Sequence, residues 1–340
     1  MHACPTAWNP DADMRPMQES VAKLMCEAHS AEEQERECSR FLQLLMGMAL
    51  TGTRDEEVFV LVRGDASSGK SKFFELLQAV LGDFVQQVDS ALVVKAKHGR
   101  GDGNSHKATL HAVCKDGVRI LSMSELEQNE KMASRNVKQL GGENIQERMR
   151  ACHGQPEKLQ LSCIPFLASN YDPKVENALE TDSGIERRAL YFEFLAKFGR
   201  PTSTRAAQVW TQARHDASVS AEQAAPEAGE TPWHHDHFPM TDDIVGALTR
   251  GGAAEGVLRW LAEGARQWYA NGKTLGTWPD RALTATKSYI ARDNPLDTFL
   301  SKCAHSPPRT PFVAHGCIGD LTGAAHSRCT ELAAPYVHTQ

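Results

Sequence analysis

The stretch "VFVLVRGDASSGKSKFFELLQAVLG", residues 58–82, decides the fold. Its first five residues, Val58-Phe59-Val60-Leu61-Val62, make a short continuous apolar run rich in β-branched side chains, the pattern of a strand buried on both faces of a parallel sheet. Its last part sets Phe73, Phe74, Leu77, Val80 and Leu81 at helical spacing, with Gly82 as the stop. Between the two, Gly64, Asp65, Ala66, Ser67, Ser68, Gly69, Lys70 and Ser71 fit GxxxxGK[ST], the spacing of a phosphate-binding loop. Strand, loop, helix is the context this spacing requires. Glycines let successive N–H groups turn toward phosphates, and the helix N-terminus adds partial positive charge. In that arrangement Lys70 reaches the β- and γ-phosphates and the Ser71 hydroxyl ligates Mg²⁺. A plain glycine-serine turn with a solvated lysine would not sit between a buried strand and an amphipathic helix.

A chain of 340 residues, 41% hydrophobic and 24% charged, buries a sizeable core and reads as two domains or one domain with helical flanks. There is no 18-residue apolar run and no basic-then-apolar start, so neither a membrane span nor a signal peptide is expected, and the chain reads as intracellular. Nine cysteines without regular spacing favour free thiols in a reducing compartment. A net charge of −6 argues against a generally cationic coat for nucleic acid. Local tracks remain: Lys95, Lys97, Arg100, Lys107, Lys115 and Arg119 face only Asp102 and Asp116 across one stretch, as a groove or pore would need.

Residues 1–18 lack periodicity and read as a loose, disordered terminus. A helical lead-in occupies 19–57, with Phe41, Leu42, Leu45, Met46 and Met48 to Leu50 forming an apolar face that stops at Gly52. Residues 58–200 alternate apolar runs with helical patterns, as an α/β nucleotide-binding core does. A linker or insertion poor in large apolar residues covers 201–235. A helical domain follows over 236–303, carrying Val257, Leu258, Leu261, Ala265, Trp268 and Tyr269, and a second helix after Pro279. Residues 304–340 have no sustained period and read as a poorly ordered or truncated tail. His234-His235-Asp236-His237 and the set Cys303, His305, His315 and Cys317 match no standard metal spacing.

A phosphate loop needs an acid at the tip of a neighbouring strand. The run Val118 to Glu127 offers Glu125 and Glu127, which share a face if the strand continues that far. One carboxylate binds Mg²⁺ and a carboxylate orients the attacking water. Further on, Ile164 to Ala168 is another apolar run ending in Ser169-Asn170, where an amide holds the lytic water. Arg187 and Arg188 stand just before the strand-like run Ala189 to Phe192; a guanidinium there, projecting into a neighbouring subunit's site, would neutralise transition-state charge.

The order GDASSGKS, LSMSELE, VKQLGGENIQERM, PFLASN and ERRALYFEF resembles a superfamily 3 helicase, nearest to the primase-helicases of poxviruses, other large DNA viruses and phages. LQLLMGMALTG before it, and GVLRWLAEGARQWYANG and ALTATKSYIARDNPLDTFL after it, are similar to the helical flanks of that family, so the likeness runs from about residue 40 to 303. It implies an AAA+-like P-loop NTPase core, ATP and Mg²⁺ as cofactors, a hexameric ring and ATP-driven translocation on DNA threaded as a single strand through a central pore. Carried over, Lys70 and Ser71 belong to motif A, Glu125 to motif B with Glu127 beside it, Lys138 and Gly141-Gly142-Glu143 to motif B-prime, Asn170 to motif C, and Arg188 or Arg187 to the finger. A pore hairpin would run from Ile145 to Arg150, turn at Cys152 to Pro156 and return from Lys158 to Cys163, with Arg148, Arg150, His153 and Lys158 gripping phosphates; Lys138, in the B-prime stretch, is a further nucleic-acid contact. Leu126 separates Glu125 from Glu127 where many members have adjacent acids. No primase segment precedes residue 40, so a separate primase is the expected partner, and the compartment would be host cytoplasm or nucleus if the chain is viral. Two other readings are an oligomeric ATPase that remodels protein or RNA and a truncated nucleotide-binding remnant.

Overall fold

In the computed structural model the apolar run at 59–62 is a central strand, and its alternation sorts the core into two layers. Val60 and Val62 face one hydrophobic cluster, Phe59 and Leu61 the other, as a period of two demands. The described residues are 3–27, 36–94, 102–126, 130–142, 146–149, 155, 157–175, 183–199 and 237–292.

In chain order the elements are α1 (Arg15–Leu24), α2 (Glu37–Thr51), β1 (Phe59–Arg63), α3 (Lys70–Leu81), β2 (Val85–Val88), α4 (Asp102–Lys115), β3 (Ile120–Met123), β4 (Lys131–Met132) and α5 (Ser134–Gly141). Then come β5 (Gln146–Met149), β6 (Glu157–Gln160), β7 (Ile164–Ser169), β8 (Lys174–Val175), α6 (Ser183–Glu186), β9 (Ala189–Glu193), β10 (Lys197–Gly199), β11 (His237–Pro239), α7 (Ile244–Ala247), α8 (Ala253–Ala270) and α9 (Asp280–Arg292). Five of the strands form one sheet in the order β2-β3-β7-β1-β9, with every neighbouring pair parallel. Helices therefore cover both faces, and the strands read as near-continuous apolar runs. This is the expected mixed α/β architecture.

Residues 1–295 form one compact unit; residues 296–340, the second, lie outside the described set. The helices expected as a separate domain over 236–303 share the first unit's core: Trp260, Leu261 and Trp268 of α8 join the cluster that holds Leu45 and Met46 of α2. The two helices meet backbone to backbone. A Cβ at Gly47 would run into the backbone of Gly264 and Ala265, and Gln43 Nε2 donates to Trp260 O at 2.9 Å. The terminus expected to be loose over 1–18 is also a correction. Thr6 Oγ1 donates to Val80 O at 2.7 Å, Asn9 Nδ2 to Glu255 Oε2 at 2.7 Å, and Met17 is fully buried on α1. Two of these anchors are hydrogen bonds to other elements, which leave no period in the sequence.

Helix boundaries follow local chemistry. The α2 start is closed by buried Glu27, whose two oxygens accept from Cys38 N and Ser39 N at 2.9 Å each. Its end is Gly52, at φ 72°. The insertion at 201–235 and the tail at 304–340 lie outside the described residues, as do Cys303, His305, His315, Cys317 and His234 to Asp236. No helix among the described residues is long and apolar enough to cross a membrane. The described cysteines, Cys4, Cys26, Cys38, Cys114 and Cys163, are all free thiols.

Candidate functional site

The carboxyl ends of β1, β3 and β7 point the same way, and in open parallel sheets ligands are taken at that edge. The chain leaves β1 at Arg63 and turns through residues 64–69 into α3. Gly64 N donates to Ser169 O at 3.1 Å, which ties the start of the loop to the tip of β7. A Cβ at Gly64 would lie 2.5 Å from Ser68 Oγ and 2.7 Å from Phe194 O, so glycine is needed there for space. Gly69 is needed for conformation, at φ 87°, and Ser67 shares the left-handed region at φ 65°. Alternation of this kind turns consecutive N–H groups toward one side. Among the described residues the N–H groups of Ala66, Ser67 and Gly69 bond to no protein acceptor.

Lys70, the first residue of α3, is 8% exposed and folds back over the loop. Its Nζ donates to the carbonyl of Gly64, to Asp65 O at 3.1 Å, to Ser68 Oγ at 3.1 Å and to Asn170 Oδ1 at 2.8 Å. Burial holds its pKa below the ordinary lysine value, against the opposing pull of Glu125 and Asp65. Asn170, just past β7, completes a bridge. Its backbone N–H donates to Glu125 Oε1 at 2.9 Å and its Nδ2 to Glu125 Oε2 at 2.8 Å. Lysine, amide and carboxylate, drawn from three separate segments of sequence, thus form one chain of hydrogen bonds.

The strand that leads to Glu125, β3, ends at Met123, two residues before Glu125 and four before Glu127, so the two acids do not share a strand face. Glu125 is exposed and Leu126 is 2% exposed; Glu127 lies outside the described residues. What fixes Glu125 instead is a clamp that sequence reasoning missed. Ser90, in a 3-10 turn over Ser90–Leu92, donates its N–H to Ser124 Oγ at 3.1 Å and its hydroxyl to Glu125 O at 3.3 Å. Asp65 was also legible only as a loop position. Its carboxylate lies 3.4 Å from Arg63 and 3.6 Å from Lys197, which pin the loop's outer side. Ser71 is exposed at the second position of α3, beside Lys70.

The two arginines sit at the other end of the sheet. Phe59 N donates to Arg188 O at 2.7 Å, where β9 begins beside β1. Five residues of β1 separate that end from the loop, about 13 Å at strand rise. Arg187 and Arg188 therefore do not meet the loop of their own chain. Glu57 pairs with both. Arg188, 13% exposed, donates to Glu57 Oε1 at 2.6 Å and to Gly184 O at 2.7 Å, so it is turned inward; Arg187, 65% exposed, reaches outward.

The predicted hairpin exists as β5 and β6, antiparallel, with Arg148 opposite Lys158 and Met149 opposite Glu157. It rests on α4, where His111 lies 3.7 Å from Glu157 and Lys115 pairs with the same carboxylate. Arg150 and His153 lie outside the described residues, as does Glu143 of the B-prime stretch. Lys138 is on α5, partly buried, and not on the hairpin. A separate cleft of about 400 Å³ opens between β9 and α9, lined by Tyr191, Glu193, Arg281 and Tyr289 and by none of the loop, Glu125 or Asn170.

No protein-family model matches the chain. Over 159 residues, 46% of the chain, it is 29% identical to a protein of Acanthamoeba polyphaga mimivirus named "Putative helicase L207/L206". The chain spans only 16% of that relative's length. This partial likeness is to a viral protein named as a helicase. Among solved structures, the apo A form of the NrS-1 C-terminal region aligns at a TM-score of 0.46 with 12% identity, covering 88% of this chain and 60% of that one. A second apo structure, of residues 305–718 of NrS-1, aligns at 0.43 with 13% identity, covering 89% and 62%.

Proposed function

We propose that this chain is the ATP-hydrolysing motor subunit of a superfamily 3-type DNA helicase, built on an AAA+-like P-loop core and acting as a ring, hexameric as the sequence resemblance implies. The observation that carries the reading is the Lys70–Asn170–Glu125 bridge at the carboxyl ends of the sheet. A cation for phosphates, an amide and an acid converge beside a loop in which the N–H groups of Ala66, Ser67 and Gly69 meet no protein acceptor among the described residues. The partial viral relative named as a helicase supports the same direction.

The residues fit Mg-ATP. The loop is a cradle that a Cβ at Gly64 would fill, and it holds a partly desolvated lysine. Lys70 and the N–H groups of residues 64–71 would hold the phosphates, and Ser71 with Glu125 would hold Mg²⁺, which when bound neutralises charge on the phosphate oxygens. Glu125 then orients the attacking water, and Asn170 fixes the Glu125 carboxylate by two hydrogen bonds, leaving lone pairs free. Because the arginines lie at the opposite end of the sheet, a charge-neutralising guanidinium at this site comes from a neighbouring copy. Arg187 suits that role better than Arg188, since it is exposed and held by one surface pair. DNA would pass the β5–β6 hairpin, where Arg148 and Lys158 sit in register, and a separate primase would supply primers.

The test is ATP turnover with and without single-stranded DNA, together with strand displacement on a tailed duplex. The expected result is DNA-stimulated turnover and unwinding that both vanish in Lys70→Ala. Equal rates in wild type and Lys70→Ala overturn the enzyme reading. Turnover that ignores DNA and duplexes left intact would move the motor to protein or RNA remodelling.

A further inference from the structure

Beyond the hairpin, the structure assigns a second contact for a nucleic-acid backbone to the small β4–β8 sheet: Lys131 and Lys174, with Arg135 four residues after Lys131, grip phosphates of the strand that the motor moves along. This rests on the DNA reading above and names a surface which that reading does not use.

The argument begins with register. β4 and β8 pair in parallel, with Lys131 opposite Lys174 and Met132 opposite Val175. Partners in a parallel pair project to the same face, so alternation sends Met132, 1% exposed, inward and places both ammonium groups outward side by side. Like charges directly opposed across a ladder destabilise the pair. Nothing in the apolar core requires lysine at either position.

Among the described residues no carboxylate pairs with Lys131, Lys174 or Arg135. The nearby acid Asp172 already accepts from Tyr191 OH. Arg135, exposed in the first turn of α5, adds a third cation close in sequence, where a helix start would favour an acid. Such a cluster fits a ligand with repeated negative charge and tolerance of sequence, which is a phosphate backbone. The sheet also follows the site directly in sequence. β4 begins six residues after Glu125 and β8 four after Asn170, so a strand held here lies on segments that leave the two site residues.

The experiment compares wild type, Lys131→Ala/Lys174→Ala, Lys174→Glu and Lys158→Ala for binding to a labelled thirty-nucleotide oligo-dT over a range of salt, alongside thermal melting without DNA. The slope of log K against log salt is expected to lose about 1.4 in the double variant, two contacts at about 0.7 each for single strands. Lys174→Glu should bind more weakly still, yet melt about 1–2 °C higher, because it replaces a repulsive cross-strand pair with an attractive one. Weaker binding with higher stability cannot come from misfolding. Wild-type binding with an unchanged slope in the double variant overturns this inference alone. Failure of wild type and all variants to bind oligo-dT overturns it together with the DNA reading, and a lowered slope only in Lys158→Ala confines DNA to the hairpin.

Discussion

At the carboxyl ends of β1, β3 and β7, Asn170 links Lys70 to Glu125 by hydrogen bonds, beside a loop in which the N–H groups of Ala66, Ser67 and Gly69 meet no protein acceptor among the described residues. At the amino ends of β1 and β9, Glu57 gathers Arg187 and Arg188, and Arg54, 2% exposed, closes the end of α5 through the Leu140 carbonyl. Both ends place charge against the same apolar sheet. The difference is where it is satisfied. At the carboxyl ends the partners are polar groups that a triphosphate could replace; at the amino ends they are mostly internal, apart from outward Arg187. On the proposed reading, one end is poised for ligand, and the other is structural with a single side chain to lend.

That contrast can be broken by substitution at either end. Lys70→Ala removes the cation at the carboxyl end; turnover should fall by about 100-fold or more while the fold is kept at a cost of about 1–2 kcal/mol for the buried hydrogen bonds it loses, checked by steady-state phosphate release and calorimetry. Arg187→Ala should leave nucleotide affinity and stability near wild type, since an exposed pair contributes about 0–1 kcal/mol, but lower turnover about 1000-fold. Fluorescent-nucleotide titration beside the rate assay separates the two effects. Glu57→Ala strands the inward guanidinium of Arg188 and should cost about 2 kcal/mol in denaturant unfolding, with nucleotide affinity kept.

The smallest effect sharpens the contrast by pH. Burial pushes the Cys163 thiol up to about 11 and Cys114 up to about 12, both beside Arg54. Unfolded thiols ionise near pH 8.5. The folded state thus keeps protons that the unfolded state loses, so stability from these groups is complete below about pH 8.5 and declines as pH rises toward 11–12. Denaturant midpoints from pH 7 to 10 should fall above about pH 8.5, and Cys163→Ala should flatten that fall. A midpoint that stays level to pH 10 in wild type would contradict the buried-thiol account.

How far these features were legible follows from how each is encoded. The β1–loop–α3 unit was readable because its determinants are contiguous: an apolar run, spaced glycines and a helical period within 58–82. Asn170 and Glu125 were readable as tips of apolar runs, and the structure does bring both to Lys70. The place of Glu125 after the strand end was not, because the Ser90 clamp that fixes it depends on strand order. Helix α8 was visible by period, but its packing on α2 was not. That contact is made by Gly47 and Gly264, residues without side chains to display a pattern. Glu57 gathers both arginines, a relation that appears only once β9 pairs with β1, and Arg188 differs from Arg187 by its further bond to Gly184 O.

The central claim, a site completed by a neighbouring copy, is tested most directly by mixing Lys70→Ala with Arg187→Ala and measuring ATP turnover. Each variant alone should be inactive. In the mixture, Lys70 of one copy meets Arg187 of another, so activity should return to a fraction set by the mixing ratio. Wild-type turnover with no recovery in any mixture would contradict the shared site.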